Sequence, residues 1–221
     1  MARQKLIRFA SNAQNANLIE PGKPIFETIS GHWATDFFKN DNPIVVELGC
    51  GRGEYTVGLA RLFPEKNFIG VDIKGARIWV GSQQAIDEQL SNVGFLRTRI
   101  QNIDRFFAPQ EISEIWITFP DPRPRGRDVK RRLTSNRFLN LYRSLLKPGG
   151  IVHLKTDHQD LFEFTLETLQ QYPIQNLQHT ADLEQSPLRH LHHGIHTKYE
   201  AIFVAQGYSI KYLQFQFLPA P

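Results

Sequence analysis

Ile44-Val-Val-Glu-Leu-Gly-Cys-Gly-Arg-Gly53 carries an apolar run of strand length straight into a turn with three glycines. A helical stretch follows from about Tyr55 to Leu62, and a second strand, Phe68-Ile-Gly-Val71, ends at Asp72. Glycine lets the backbone reverse tightly and lets a ligand approach the main chain. Downstream the alternation continues. Ala76 to Leu90 has helical spacing, with Ala76, Val80, Ala85, Ile86 and Leu90 apolar, and Val93 to Ile100 and Ile115 to Thr118 have strand character. The spacing predicts a helix from Asn136 to Leu146, stopped by Pro148-Gly-Gly150, then a strand Ile151–Lys155 and a helix from Leu161 to Gln171. Near the C-terminus, Thr197-Lys-Tyr-Glu200 reads as a capping box. Tyr199, Ile202 and Phe203 would form the apolar side of its helix, Gly207 its end, and Ile210 to Phe217 a last strand. Alternating strands and helices imply an α/β fold: a seven-stranded, mostly parallel sheet with helices on both faces and one antiparallel strand. Asp41-Asn-Pro43 punctuates its start, so residues 43–221 form the domain and residues 1–42, without clear periodicity, an N-terminal extension.

At 221 residues, 41% hydrophobic and 22% charged, the chain has the size and balance of one globular domain. A single cysteine, Cys50, excludes an intrachain disulfide and suits a reducing compartment. No apolar run reaches membrane-spanning length, and the start of the chain lacks a signal core, so a cytoplasmic location is expected. The net charge of +4 favours polyanions only slightly. Its distribution says more: Arg123, Arg125, Arg127, Lys130, Arg131 and Arg132 fall within ten residues that hold one acid, Asp128. Such a run is either a solvated basic loop or a contact for a phosphate backbone, and its density favours the second.

The turn Glu47-Leu-Gly-Cys-Gly-Arg-Gly53 departs from the dinucleotide fingerprint, whose third glycine would fall at Glu54. Glu47 would repel a pyrophosphate but suits a cation such as the sulfonium and amino group of S-adenosyl-L-methionine. Asp72 stands where a carboxylate accepts both ribose hydroxyls, or else caps the next helix. The combination of Glu47, Gly49, Gly51 and Gly53 with Asp72 resembles class I methyltransferases, with their Rossmann-like sheet, over Ile44 to Thr156. Cys50 is a small filler without a paired base.

Phe119-Pro-Asp-Pro-Arg-Pro-Arg-Gly-Arg-Asp-Val-Lys-Arg-Arg-Leu133 resembles, without a gap, the Phe-Pro-Asp-Pro-Trp-Pro-Lys-Lys-Arg-His-x-Lys-Arg-Arg-Leu motif of the tRNA (guanine-N7-)-methyltransferase family. The resemblance implies methyl transfer from S-adenosyl-L-methionine to N7 of a variable-loop guanine in tRNA. It implies that Asp121 is the catalytic acid and also neighbours the cofactor, that Arg125 contacts substrate, and that the stretch with Arg127, Lys130, Arg131 and Arg132 binds RNA. Thr156-Asp157 resembles the family's Thr-Asp, and Thr197-Lys-Tyr-Glu200 its Thr-x-Tyr/Phe-Glu, so Asp157, Thr197 and Glu200 would bind the guanine; as bland alternatives, Asp157 caps a helix and the other two form only the capping box. Arg123, Gly126 and Asp128 replace the family's Trp, second Lys and His. The acid expected to face adenine has no match, since Arg99 or Ile100 falls there; Gln101 or Asn102 is the nearest polar residue and Asn102 is taken in its place, unless the loop is rearranged in this branch of the family.

Two other functions compete: another methyltransferase, acting on an exocyclic amine or a small molecule, and an RNA-binding relative without activity. Methyltransferases acting on amino groups carry Asp/Asn-Pro-Pro-aromatic at the fourth strand, whereas here Arg-rich sequence follows split prolines. A non-catalytic RNA-binding relative would not need Glu47, the glycines, Asp72 and Asp121 all intact. His190, His192, His193 and His196 have spacing that metal sites use, but with only Asp182 and Glu184 nearby they read as an exposed, RNA-facing loop, and no metal is expected. A monomer or a homodimer fits equally.

Overall fold

The computed structural model describes residues 7–8 and 10–218. Among the described residues, eight strands form one sheet: β1 (Leu18–Ile19), β2 (Ile44–Leu48), β3 (Asn67–Asp72), β4 (Val93–Arg97), β5 (Ile112–Thr118), β6 (Leu146–Thr156), β7 (Ile174–Thr180) and β8 (Lys211–Phe217). Their order is β1-β4-β3-β2-β5-β6-β8-β7, parallel from β1 to β6, with β8 antiparallel to both neighbours. Among the elements described in full, five α-helices accompany them: α1 (Glu54–Leu62), α2 (Gly75–Asp87), α3 (Asn136–Leu145), α4 (Gln159–Leu169) and α5 (Lys198–Ala205).

Every residue of β2 is buried, as a central parallel strand requires when helices cover both faces. The pleat splits its side chains: Ile44, Val46 and Leu48 join Ile69, Val71, Ile115 and Ile117 in one core, while Val45 joins Phe68, Phe95, Trp116 and Tyr55 in the other. Strand order reverses at β2, between β3 and β5, so the crevice above the C-terminal ends of these strands is where a ligand fits.

The expected count of seven strands is one short. The extra strand, β1, comes from the N-terminal segment and pairs Leu18 with Phe95. Two residues are too few for any periodicity to register. The segment also docks by amides, Asn12 Nδ2 donating to Gly75 O (3.1 Å) and Asn15 Nδ2 to Ser82 Oγ (2.8 Å). Trp33 is fully buried, stacks on Phe107 and donates its indole N–H to Phe106 O at 2.7 Å. Residues 98–100 leave the strand expected there, since β4 ends at Arg97 and a 3-10 turn follows (Ile100–Arg105). Pro148-Gly-Gly150 lies inside β6 rather than before it, at an irregularity in its pairing with β5.

Candidate active site

The glycine turn after β2 is held from below. The N–H groups of Gly49 and Cys50 both donate to Val71 O (2.8 and 3.1 Å), and Gly53 N donates to Cys50 O (2.8 Å). Gly53, at φ 74°, opens α1, and a Cβ there would lie 2.7 Å from the Phe95 ring. Only glycine fits that close approach. Cys50 is buried, and burial pushes its thiol up, with the carboxylates of Glu47 and Asp72 adding to the effect. It is chemically quiet, as expected of a filler.

Glu47 has 3% exposure, and its carboxylate is filled from inside the protein. One oxygen accepts the N–H (2.9 Å) and hydroxyl of Thr56, the other the hydroxyl of Thr118 at 2.6 Å. It thus ties β2 to α1 and to the end of β5 while keeping a carboxyl under the turn. Burial raises its pKa to about 7, against the Thr118 and Thr56 hydrogen bonds. A carboxyl raised in this way carries its proton into the folded state. Its contribution to stability is therefore complete below about pH 4.5 and lost as pH rises through about 7. Denaturant titrations of the cofactor-free protein should show a loss of about 3 kcal/mol from this group between pH 4.5 and 8. Glu47→Gln should flatten that loss; an equal loss in the variant would assign it to another group.

Asp72 ends β3 beside the turn. Its Oδ2 accepts from Gly51 N (3.0 Å) and its Oδ1 from Lys74 N (2.8 Å), so it braces both the turn and the start of α2. Each oxygen keeps a lone pair for a diol. Asn102 sits at the bend of the 3-10 turn (φ −117°, ψ 15°), partly buried. Carboxylates near the position of a cation, a diol acceptor at a strand end and an amide on the adjoining turn fit S-adenosyl-L-methionine. Asp72→Ala is expected to weaken cofactor binding by on the order of 1.5–3 kcal/mol, measured by titration calorimetry. Unchanged affinity would leave Asp72 as a brace alone.

The end of β5 lies beside this turn because Leu48 pairs with Ile117. Phe119 N donates to Lys155 O (2.8 Å), and Phe119 and Arg123 both take positive φ (47° and 48°). Non-glycine residues pay a conformational cost there, which the flanking structure holds. Asp121 stands between them with its side chain 60% exposed. Its Oδ1 accepts Arg123 N (3.1 Å) and its Oδ2 faces Arg123 Nε at 3.1 Å. The substitution of Arg for the family's Trp thus gives the candidate acid a guanidinium partner, a pairing not foreseen from sequence.

The basic run divides in two. Arg125, Arg127 and Lys130 are exposed, and Arg131, also exposed, pairs with Asp128 at 3.0 Å. Arg132 departs from the expected RNA-facing role. It has 8% exposure, donates through Nε and Nη2 to Arg123 O (3.4 and 3.3 Å) and lies 4.4 Å over the Phe164 ring. Its guanidinium braces the acceptor loop from behind.

Asp157 follows β6 and does not cap α4; His158 does, its ring accepting from Leu161 N. The capping box is present: Thr197 Oγ1 accepts from Glu200 N (3.1 Å), and Glu200 Oε2 accepts from Thr197 N (3.4 Å). Glu200 is turned inward, at 1% exposure, with Oε2 3.0 Å from Lys155 Nζ. Burial pushes the Lys155 ammonium down and Glu200 opposes it. Of the apolar side expected of α5, only Phe203 packs inward, half-buried and stacked with Phe119. Tyr199 and Ile202 are 51% and 41% exposed, and Glu200 is the residue the helix buries. The histidine loop is likewise not all exposed: His192 has 2% exposure. Sequence reasoning missed Thr56, Thr118 and Lys155, and the pairing of Arg123 with Asp121; a lysine closing the mostly apolar strand Ile151–Lys155 was the one visible sign.

A parallel sheet with its crevice at the β2 switch point, a three-glycine turn and an acid at each adjoining strand end define a class I S-adenosyl-L-methionine-dependent methyltransferase. The fold agrees with solved structures. The 16S rRNA methyltransferase KamB matches at TM-score 0.62 with 14% identity, covering 84% of this chain and 92% of that one. A SAM-dependent O-methyltransferase from Thermotoga maritima matches at 0.57 with 13% identity, covering 98% and 72%. A family model described as putative methyltransferase matches residues 41–213. The tRNA (guanine-N(7)-)-methyltransferase of Cytophaga hutchinsonii is 52% identical over 99% of this chain and 100% of its own length. That of Lactococcus lactis is 35% identical, over 94% and 93%. The chain belongs to the tRNA (guanine-N7-)-methyltransferase family.

Proposed function

We propose that this chain transfers the methyl group of S-adenosyl-L-methionine to N7 of a variable-loop guanine in tRNA, and that residues 43–221 carry the reaction, with residues 1–42 an extension whose described part, through Asn12, Asn15 and Leu18, docks on them. The observation that carries this reading is the placement of Asp121. It is an exposed carboxylate on the same sheet edge as the glycine turn and Asp72, and it opens a loop that continues into exposed Arg125, Arg127 and Lys130.

The cofactor supplies an activated methyl group on a sulfonium. In this reading the turn at Gly49, Gly51 and Gly53 gives it close main-chain approach, Asp72 accepts its ribose hydroxyls, Asn102 meets its adenine, and Glu47 holds the turn in place from beneath, its buried carboxyl able to ionise when the cationic cofactor binds above it. Guanine N7 already has an available lone pair, so no proton need leave before attack. The protein's main task is alignment. Methylation places positive charge on the base, and Asp121 stabilises that charge as it develops. Asp157 accepts from the guanine N–H groups, which adenine does not offer in the same pattern. Arg125 holds the nucleotide, and Thr197 with Glu200 forms the floor under it. Arg127, Lys130 and Arg131 meet the phosphate backbone, with Arg132 behind them. The protein works in the cytoplasm, as a monomer or a homodimer; among the described residues no helix is long and apolar enough to cross a membrane.

Methylation of paired tRNA transcripts tests the acceptor. A transcript with guanine in the variable loop should take up labelled methyl groups, and one with adenine at that position should not. Equal uptake by both would move the acceptor elsewhere in the tRNA.

A further inference from the structure

We propose that Glu184, His192, His196 and Glu200 bind a zinc-type divalent cation that locks the C-terminal loop against the acceptor edge. One potential ligand atom from each of these side chains lies within 4.8 Å of the others. The inference does not depend on methyl transfer.

The fold brings them together from three elements. Glu184 follows β7, His192 ends a 3-10 turn that Ser186 caps, and Glu200 sits in the first turn of α5. His193 and Gly194 are consecutive left-handed residues (φ 56° and 68°), and their reversal sets the His196 ring beside His192, with centroids 5.1 Å apart. His192 Nε2 lies 3.6 Å from Glu184 Oε1, and His196 Nδ1 lies 3.5 Å from Glu200 Oε1. Both distances are too long for a good hydrogen bond. They match a shared ion: ligand atoms about 2.1 Å from a tetrahedral centre sit roughly 3.4 Å from one another.

A second observation points the same way. Glu184 Oε1 and Glu200 Oε1 are buried and have no hydrogen-bond partner. Glu200 and His192 are almost wholly enclosed, at 1% and 2% exposure. Buried polar atoms without partners are costly, and two carboxylate oxygens turned toward imidazoles are at once satisfied by a cation. The other oxygen of each carboxylate is held: Glu200 Oε2 by Lys155 Nζ (3.0 Å), Glu184 Oε2 by Arg189 Nε (3.0 Å). Such outer partners fix ligand orientation. Two imidazoles exclude magnesium and calcium as preferred occupants and favour zinc or a neighbouring transition metal. Four protein ligands fill a tetrahedron, so the ion is structural rather than catalytic. Through Glu200 it would fix the capping box and, by Lys155, the end of β6.

Calorimetric titration of chelator-stripped, tag-free protein with Zn2+ tests this, with Co2+ as a spectroscopic probe. The expected result is one equivalent bound tightly, with a visible ligand-field band for cobalt. His196→Ala, at a half-exposed position that tolerates truncation, should weaken Zn2+ by more than the 10–100-fold typical of an outer-shell change, as should Glu184→Gln. His190→Ala, which removes a neighbouring exposed histidine outside the four, should bind as the parent does. No saturable uptake by the parent protein, or undiminished uptake by His196→Ala, would overturn the proposal.

Discussion

Asp121→Asn should lower the single-turnover rate of tRNA methylation by roughly 10²–10³, the range found on removing one preorganised electrostatic group. The substitution keeps the shape and an acceptor oxygen for Arg123 N while removing the charge. Phe119 and Arg123, both at positive φ, fix the loop on either side, so the side chain should stay in place. Arg123 is the complication, because its guanidinium already offsets part of the Asp121 charge at 3.1 Å. That pair is more than half exposed on the Asp121 side, where such contacts are worth little, and a bound base would compete with it. Affinity for tRNA should change little. Rates near those of the parent would remove Asp121 from the reaction and leave Asp157 as the better candidate.

The second large effect is expected from the basic run. Changing Arg127, Lys130 and Arg131 together to Ala should flatten the dependence of log K on log salt by about 2–3, at about 0.7–0.9 per phosphate contact. At 0.1 M salt that corresponds to on the order of 100-fold weaker tRNA binding, with cofactor affinity intact. The Arg131–Asp128 pair does not protect against this, because Arg131 is 70% exposed and remains free to exchange partners. Arg132→Ala should behave differently. It removes a guanidinium buried against Phe164 and Arg123 O, so the loss should appear in thermal stability before it appears in the salt slope. A salt slope as steep in the triple variant as in the parent would mean that the run does not follow the backbone.

The central strands were legible because burial on both faces writes an apolar run, as in Ile44–Leu48, and because glycines at positive φ cannot be replaced by other residues without strain. The edges were not. Ile174–Thr180 pairs with β8 yet exposes most of its side chains, so it shows no alternation of apolar and polar residues. β1 is held by two residues and by asparagines whose partners lie more than sixty positions away. The same limit applied at the site. Chain position marked Asp72 and the capping box, and the resemblance of Phe119–Leu133 to the family motif marked Asp121, but the pairing of Asp121 with Arg123, the inward turn of Glu200 onto Lys155 and the burial of Arg132 depend on tertiary neighbours. α5 is the clearest case. Its apolar residues suggested a buried stripe, whereas an ion pair beneath it draws the acid inward and leaves Tyr199 and Ile202 at the surface.

The most direct test of the account is to incubate the purified protein with tRNA and isotope-labelled S-adenosyl-L-methionine, digest the RNA and identify the labelled nucleoside by mass spectrometry. Label in 7-methylguanosine, mapped to the variable loop, is the result expected from an Asp121-centred guanine site. Label in an exocyclic amine or a ribose, or cofactor bound with no methyl transferred to tRNA, would contradict it.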